Sequence, residues 1–113
     1  MRPAARRIPI TTTQKGEPDG VVVAVLTAEF RLPGAFTLKD KRSVVKSLVQ
    51  RTAQRFRVSA AEVGLQEDIR GALIGVAVVS ASSTHADQVL QAAQRFMEGE
   101  YPVELVSGGV EHR

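Results

Sequence analysis

The 113-residue chain has room for one domain, and 43% hydrophobic with 24% charged residues describes a globular protein, neither disordered nor fibrous. The absence of Cys excludes disulfides, thiolate nucleophiles and Cys-based metal sites, and two His with no Trp and no Asn leave a thin inventory for catalysis. The net charge of +3 is distributed unevenly: residues 36–58 carry Lys39, Lys41, Arg42, Lys46, Arg51, Arg55 and Arg57 against Asp40 alone, net +6, whereas residues 59–113 are net −5.

Residues 1–20 contain Pro3, Pro9, Pro18, a Thr run at 11–13 and two Gly, a composition that builds no packed element. They are expected to form a disordered basic tail carrying Arg2, Arg6 and Arg7, with a single domain over 21–113. No stretch approaches the roughly 18 to 20 apolar residues of a membrane-spanning helix, and no apolar segment of secretory type follows the N-terminal charges. The expectation is a cytoplasmic protein with no membrane partner.

From Val21 to Leu32, Val22, Ala24, Leu26, Ala28, Phe30 and Leu32 alternate with Val23, Val25, Thr27, Glu29 and Arg31, the pattern of a strand with one buried face. Pro33-Gly34 supplies a turn, since Pro fixes one φ and Gly tolerates a positive one. Thr37 and Asp40 have capping-box spacing, and a helix is expected from about Leu38 to Phe56. Leu38, Val45, Leu48, Val49, Thr52 and Phe56 form its buried stripe.

Val58 to Gly64 reads as a second strand and Gly71 to Ser80 as a third, apolar on both faces and therefore central. The cluster Ser80, Ser82, Ser83, Thr84 offers caps for a second helix with Ala86, Val89, Leu90, Ala93, Phe96 and Met97 inward, closed by Gly99 and Pro102. A fourth strand begins at Val103 to Val106, bends at Gly108-Gly109 and resumes at Val110.

The order βαββαβ predicts an α+β, ferredoxin-like domain: a four-stranded antiparallel sheet with two helices on one face. Right-handed crossovers put the first and third strands at the centre and the second and fourth at the edges. The uncovered face then carries Val23, Val25, Thr27, Leu73, Ala77 and Val79, and a patch that apolar indicates a partner. Of these, Val23, Val25, Leu73, Ala77 and Val79 are the candidate dimer interface.

The fold hosts many functions, so each is argued from residues. An acylphosphatase needs an Asn to hold the attacking water, and a metal carrier of this fold needs a Cys pair. An RNA-recognition motif stacks bases on exposed sheet aromatics, where this chain has small or aliphatic residues. His85 has no second catalytic group beside it, His112 is expected in solvent, and the adjacent Glu67-Asp68 reads as a solvated loop pair. Gly108-Gly109 lacks the helix, Lys and Ser/Thr of a phosphate loop. No catalytic residue, metal or cofactor is assigned.

The first helix rises above this background. Measured from Val45 at the centre of the buried stripe, Lys39, Arg42 and Lys46 line one margin and Arg51 and Arg55 the other. An ordinary surface helix mixes signs, with Glu pairing Lys at i+4. Lys39, Lys41, Arg42, Lys46, Arg51 and Arg55 are therefore the candidate RNA-binding residues.

The segments Thr37-Leu-Lys-Asp-Lys-Arg42, Ala61-Glu-Val-Gly64 and Gly75-Val-Ala-Val-Val-Ser80, in that order and spacing, resemble the YlxP-like family of small bacterial proteins, a domain of unknown function. The resemblance spans about residues 21–106 and implies the same ferredoxin-like fold. The gene neighbourhoods of that family imply a role near the ribosome or RNA, and its first-helix motif falls on Leu38, Lys39, Asp40, Lys41 and Arg42. The functional expectation is a non-enzymatic RNA- or ribosome-associated binding protein; the alternative is a homodimeric regulatory module using the open sheet face.

Overall fold

Alternation of small and large apolar residues gives β1 (Val22–Arg31) one wholly buried face, Ala24, Leu26, Ala28 and Phe30. The structure, a computed structural model, describes residues 20–113. The expected N-terminal tail, with Arg2, Arg6 and Arg7, lies outside the described residues apart from Gly20. After β1 come α1 (Leu38–Phe56), β2 (Ser59–Gly64), β3 (Gly71–Ser80), α2 (Ser83–Glu100) and β4 (Glu104–His112). The sheet is antiparallel with order β2-β3-β1-β4, the ferredoxin-like α+β arrangement.

Both helices start where the sequence supplies caps. The Thr37 hydroxyl accepts from the Asp40 amide at 3.0 Å, and the Asp40 carboxylate accepts from the Thr37 and Phe36 amides at 3.2 Å each. The Ser82 hydroxyl accepts from the His85 amide at 3.1 Å. α1 ends at Arg57 with φ 55°, a left-handed conformation more often given to Gly. α2 continues through Gly99 to Glu100, two residues before Pro102.

The core lies between the helices and one face of the sheet. Ile74, Val76 and Val78 of β3 and the buried row of β1 meet Val45 and Leu48 of α1 and Ala86, Leu90 and Met97 of α2. This matches the apolar stripes expected for both helices, with one addition: Lys41 lies in the same buried layer and is fully inaccessible. It sits about 40° from Val45 at 100° per residue, within the stripe itself.

The fourth strand departs from expectation. β4 runs unbroken to His112, with its irregularity opposite Glu29 and Phe30 rather than at the glycines. Gly108 and Gly109 pair with Ala28 and Thr27 inside the strand. Gly108 faces α2: a Cβ there would meet the Gln94 amide oxygen at 2.8 Å, the movable end of a flexible side chain, so the glycine lies beneath the helix without bending the strand.

Candidate nucleic-acid interface

The capping box fixes where α1 starts, and at about 1.5 Å per residue its cations from Lys39 to Arg55 extend over about 24 Å. Lys39, Arg42, Lys46, Arg51 and Arg55 are all exposed. Asp40, the one acid of the helix, is occupied at the cap. Arg42 approaches Glu67 of the β2–β3 loop at 3.9 Å, and Arg51 approaches Glu100 at 3.8 Å. These contacts are long and open to water, and such pairs stabilise little. Among the described residues Lys39, Lys46 and Arg55 have no acid within salt-bridge distance.

Lys41 requires a correction. Its ammonium donates to the Leu65 carbonyl at 2.6 Å and lies 2.9 Å from the Glu62 carboxylate, with no side-chain exposure. The Glu62 oxygen sits off the line that a hydrogen bond requires, so this second contact is one of charge with charge. A phosphate cannot reach the group. Lys41 ties α1 to β2 and to the β2–β3 loop, where Leu65 itself adopts φ 58°.

The two margins of α1 face different neighbours. Arg42 leans toward the β2–β3 loop, while Arg51 and Arg55 lean over α2. There the Arg51 guanidinium lies 5.4 Å from the Phe96 ring centre and 5.6 Å from that of Tyr101. The Arg55 guanidinium lies 5.1 Å from Phe96 and 5.7 Å from Phe56. The three rings meet edge to face, Phe56 with Phe96 and Phe96 with Tyr101. Arg51 also donates to the Tyr101 hydroxyl at 3.1 Å, and Ser47 shares that hydroxyl at 2.9 Å. Reading the sequence assigned Phe56 and Phe96 to the core and gave Tyr101 no role; the i, i+4 pair of Arg facing two aromatics across a helix seam has no short-range signature.

The other candidate set lies on the opposite side of the sheet. Val23 pairs with Val79 and Val25 with Ala77, while Leu73 pairs with Glu29. Val23, Val25, Leu73 and Ala77 are half-buried, and Val79 is 70% exposed. No helix among the described residues covers them. Val63, 55% exposed, extends the patch onto β2, and Glu111, opposite Val25, bounds it on β4.

The remaining titratable groups are placed as follows. His85 is exposed, with only its amide engaged at the cap. His112, expected free in solvent, instead contacts Asp87 of α2 at 2.6 Å and pins the end of β4. Asp68 accepts from the Arg70 amide at 2.9 Å, a local turn contact. No helix among the described residues is long and apolar enough to cross a membrane.

Comparison with known proteins agrees with the motif resemblance. The uncharacterized protein YlxP of Bacillus subtilis (strain 168) is 34% identical over 64 residues, covering 57% of this chain and 70% of that protein. A family model described as a protein of unknown function, DUF503, matches residues 23–108, from the start of β1 into β4. The chain therefore belongs to the DUF503 family, and it is YlxP-like in sequence and ferredoxin-like in fold.

Proposed function

We propose that this protein is a non-enzymatic RNA- or ribosome-associated binding protein that engages phosphates through the exposed face of α1. The observation that carries the reading is the run of five exposed cations, Lys39, Arg42, Lys46, Arg51 and Arg55, on a helix whose single acid serves its own cap. A solvated face would be expected to pair such charges within the helix; here Lys39, Arg42 and Lys46 lie at i+3 and i+4 from each other and repel. An anionic backbone relieves that repulsion and releases its own counterions.

The test is sedimentation of a lysate on sucrose gradients at low and moderate salt, alongside anisotropy of labelled single-stranded RNA with purified protein. Comigration with a ribosomal subunit, or RNA binding, that is lost when Lys39, Arg42 and Lys46 are changed to Glu supports the reading. Binding unchanged by those three reversals overturns the surface. A protein that stays at the top of the gradient at every salt and binds no RNA overturns the function.

A second reading rests on the open sheet face, where Val79 and Val63 stand in water beside Val23, Val25, Leu73 and Ala77. Exposed apolar surface of this kind favours a homodimer. Sedimentation equilibrium at tens of micromolar tests it, and a strictly monomeric species overturns it. The two readings use opposite faces of the domain and are separately testable.

A further inference from the structure

Arg51 and Arg55 differ from the other exposed cations of α1 in being held against aromatic rings. Lys39, Arg42 and Lys46 project from the helix, whereas the two guanidiniums lie against a chain of three aromatic rings contributed by both helices. The Tyr101 hydroxyl, shared with Ser47, fixes the edge of one of them. A guanidinium held beside aromatic rings keeps further N–H groups for an oxyanion, which Arg, unlike Lys, can grip with two parallel hydrogen bonds. A side chain already ordered by its stacking loses less freedom when a ligand arrives. Between the two lies an open depression of about 270 Å³ lined by Arg51, Gln54, Arg55 and Phe96.

From this geometry we infer that the seam between α1 and α2 is the anchoring point for single-stranded RNA, with one backbone phosphodiester held between the guanidiniums of Arg51 and Arg55. The inference rests on the proposed RNA-binding function and specifies where on α1 the strand is gripped. A flexible single strand suits the depression, whose Gln54 offers a polar contact and whose Phe96 offers an apolar wall. Glu100 stands 3.8 Å from Arg51, half-exposed, and competes with the phosphate for that group.

The experiment is anisotropy of a fluorescein-labelled decauridylate at low salt against the full chain and six variants, each checked for an unchanged melting profile. Arg55→Gln and Arg51→Gln are expected to weaken binding about tenfold, the loss of one charge-assisted contact. Arg95→Gln, which removes an exposed cation of α2 outside the seam, is expected to weaken it by less than about twofold, as a distant screened charge does. Glu100→Gln is expected to tighten binding more than Glu98→Gln does. Equal effects of Arg51→Gln, Arg55→Gln and Arg95→Gln overturn the seam as anchor while leaving RNA binding by α1 standing. An unvaried protein that binds no RNA overturns the functional reading together with this one.

Tyr101→Phe supplies a charge-neutral test. It keeps the ring and deletes only the hydroxyl that accepts from Arg51 and meets Ser47, and it is expected to weaken binding about threefold, since the contact orients the guanidinium without touching the strand. No change overturns the role of pre-orientation. Inorganic phosphate and uridine monophosphate form the last arm: displacement of the labelled strand only at millimolar levels supports a polymer ligand. Displacement by either at the strand's own affinity assigns the depression to a free phosphate and overturns the RNA assignment.

Discussion

Replacing Lys41 with Met is expected to cost about 3 kcal/mol of stability, near the lower end of the range for breaking a buried ion pair. Met keeps the buried stem and deletes only the charged head. Two contacts disappear with that head. The charge-assisted bond to the Leu65 carbonyl, 2.6 Å long, is worth about 1.5 to 3 kcal/mol. The Glu62 carboxylate is left without its counter-charge, but its side chain keeps 16% exposure and can turn toward water, which limits the penalty. The bond also helps hold Leu65 at φ 58°, a conformation that costs a non-glycine residue about 1 to 2 kcal/mol, alongside the bond its carbonyl accepts from the Asp68 amide at 3.0 Å. In a domain of this size 1 kcal/mol moves the melting temperature by about 4 to 8 °C, so the expected fall is about 12 to 24 °C. Circular dichroism of thermal and urea unfolding reads it. A double variant, Lys41→Met with Glu62→Gln, removes both charges and is expected to regain part of the loss, through a coupling of about 1 to 2 kcal/mol. A Lys41→Met protein within about 1 kcal/mol of its parent would refute the burial argument, because no buried charge pair in a well-formed core is that cheap to break.

Three further outcomes follow from named contacts. Thr37→Ala deletes the side-chain half of the capping box and is expected to lower stability by about 1 kcal/mol in urea unfolding, an effect that should vanish if α1 is uncoupled from the cooperative fold. Arg57→Gly, at the left-handed end of α1, is expected to raise the melting temperature by relieving about 1 kcal/mol of strain, and a fall would show that the Arg side chain contributes more than its backbone costs. With about four to five phosphate contacts from α1, the logarithm of RNA affinity is expected to fall with that of salt at a slope of about −3, and a slope near zero would exclude the cationic face.

How much of this was legible in the sequence varies with the range over which each feature is encoded. Periodicity and punctuation are local, so the alternation of β1, the two-faced apolarity of β3 and the stripes of both helices were read within a residue or two. Gly108-Gly109 misled for the same reason: a pair of glycines signals a bend locally, but one of them lies beneath Gln94 on a helix that only the fold brings near. By charge type Lys41 is one more surface cation, and only its helical phase sets it apart. Its angle places it among Val45, Leu48 and Thr52, and the acid that accompanies it, Glu62, stands on strand β2. The Arg51 and Arg55 stacking was out of reach, since it depends on which helix faces which.

The burial of Lys41 also changes what the first-helix motif signifies. Of Leu38, Lys39, Asp40, Lys41 and Arg42, three are committed to the fold: Leu38 is half-buried, Asp40 closes the cap, and Lys41 holds the β2–β3 loop. A chain could need this motif solely to start α1 and lock it against β2, so its presence is evidence of fold before it is evidence of a ligand. Only Lys39 and Arg42 of the five present charge to solvent, and Arg42 already has Glu67 for a neighbour. The functional weight therefore moves along the helix toward Lys46, Arg51 and Arg55, where cations stand with weak or no acid partners and the last two rest on a platform that orients them. Variants at that end, rather than within the motif, separate binding from folding.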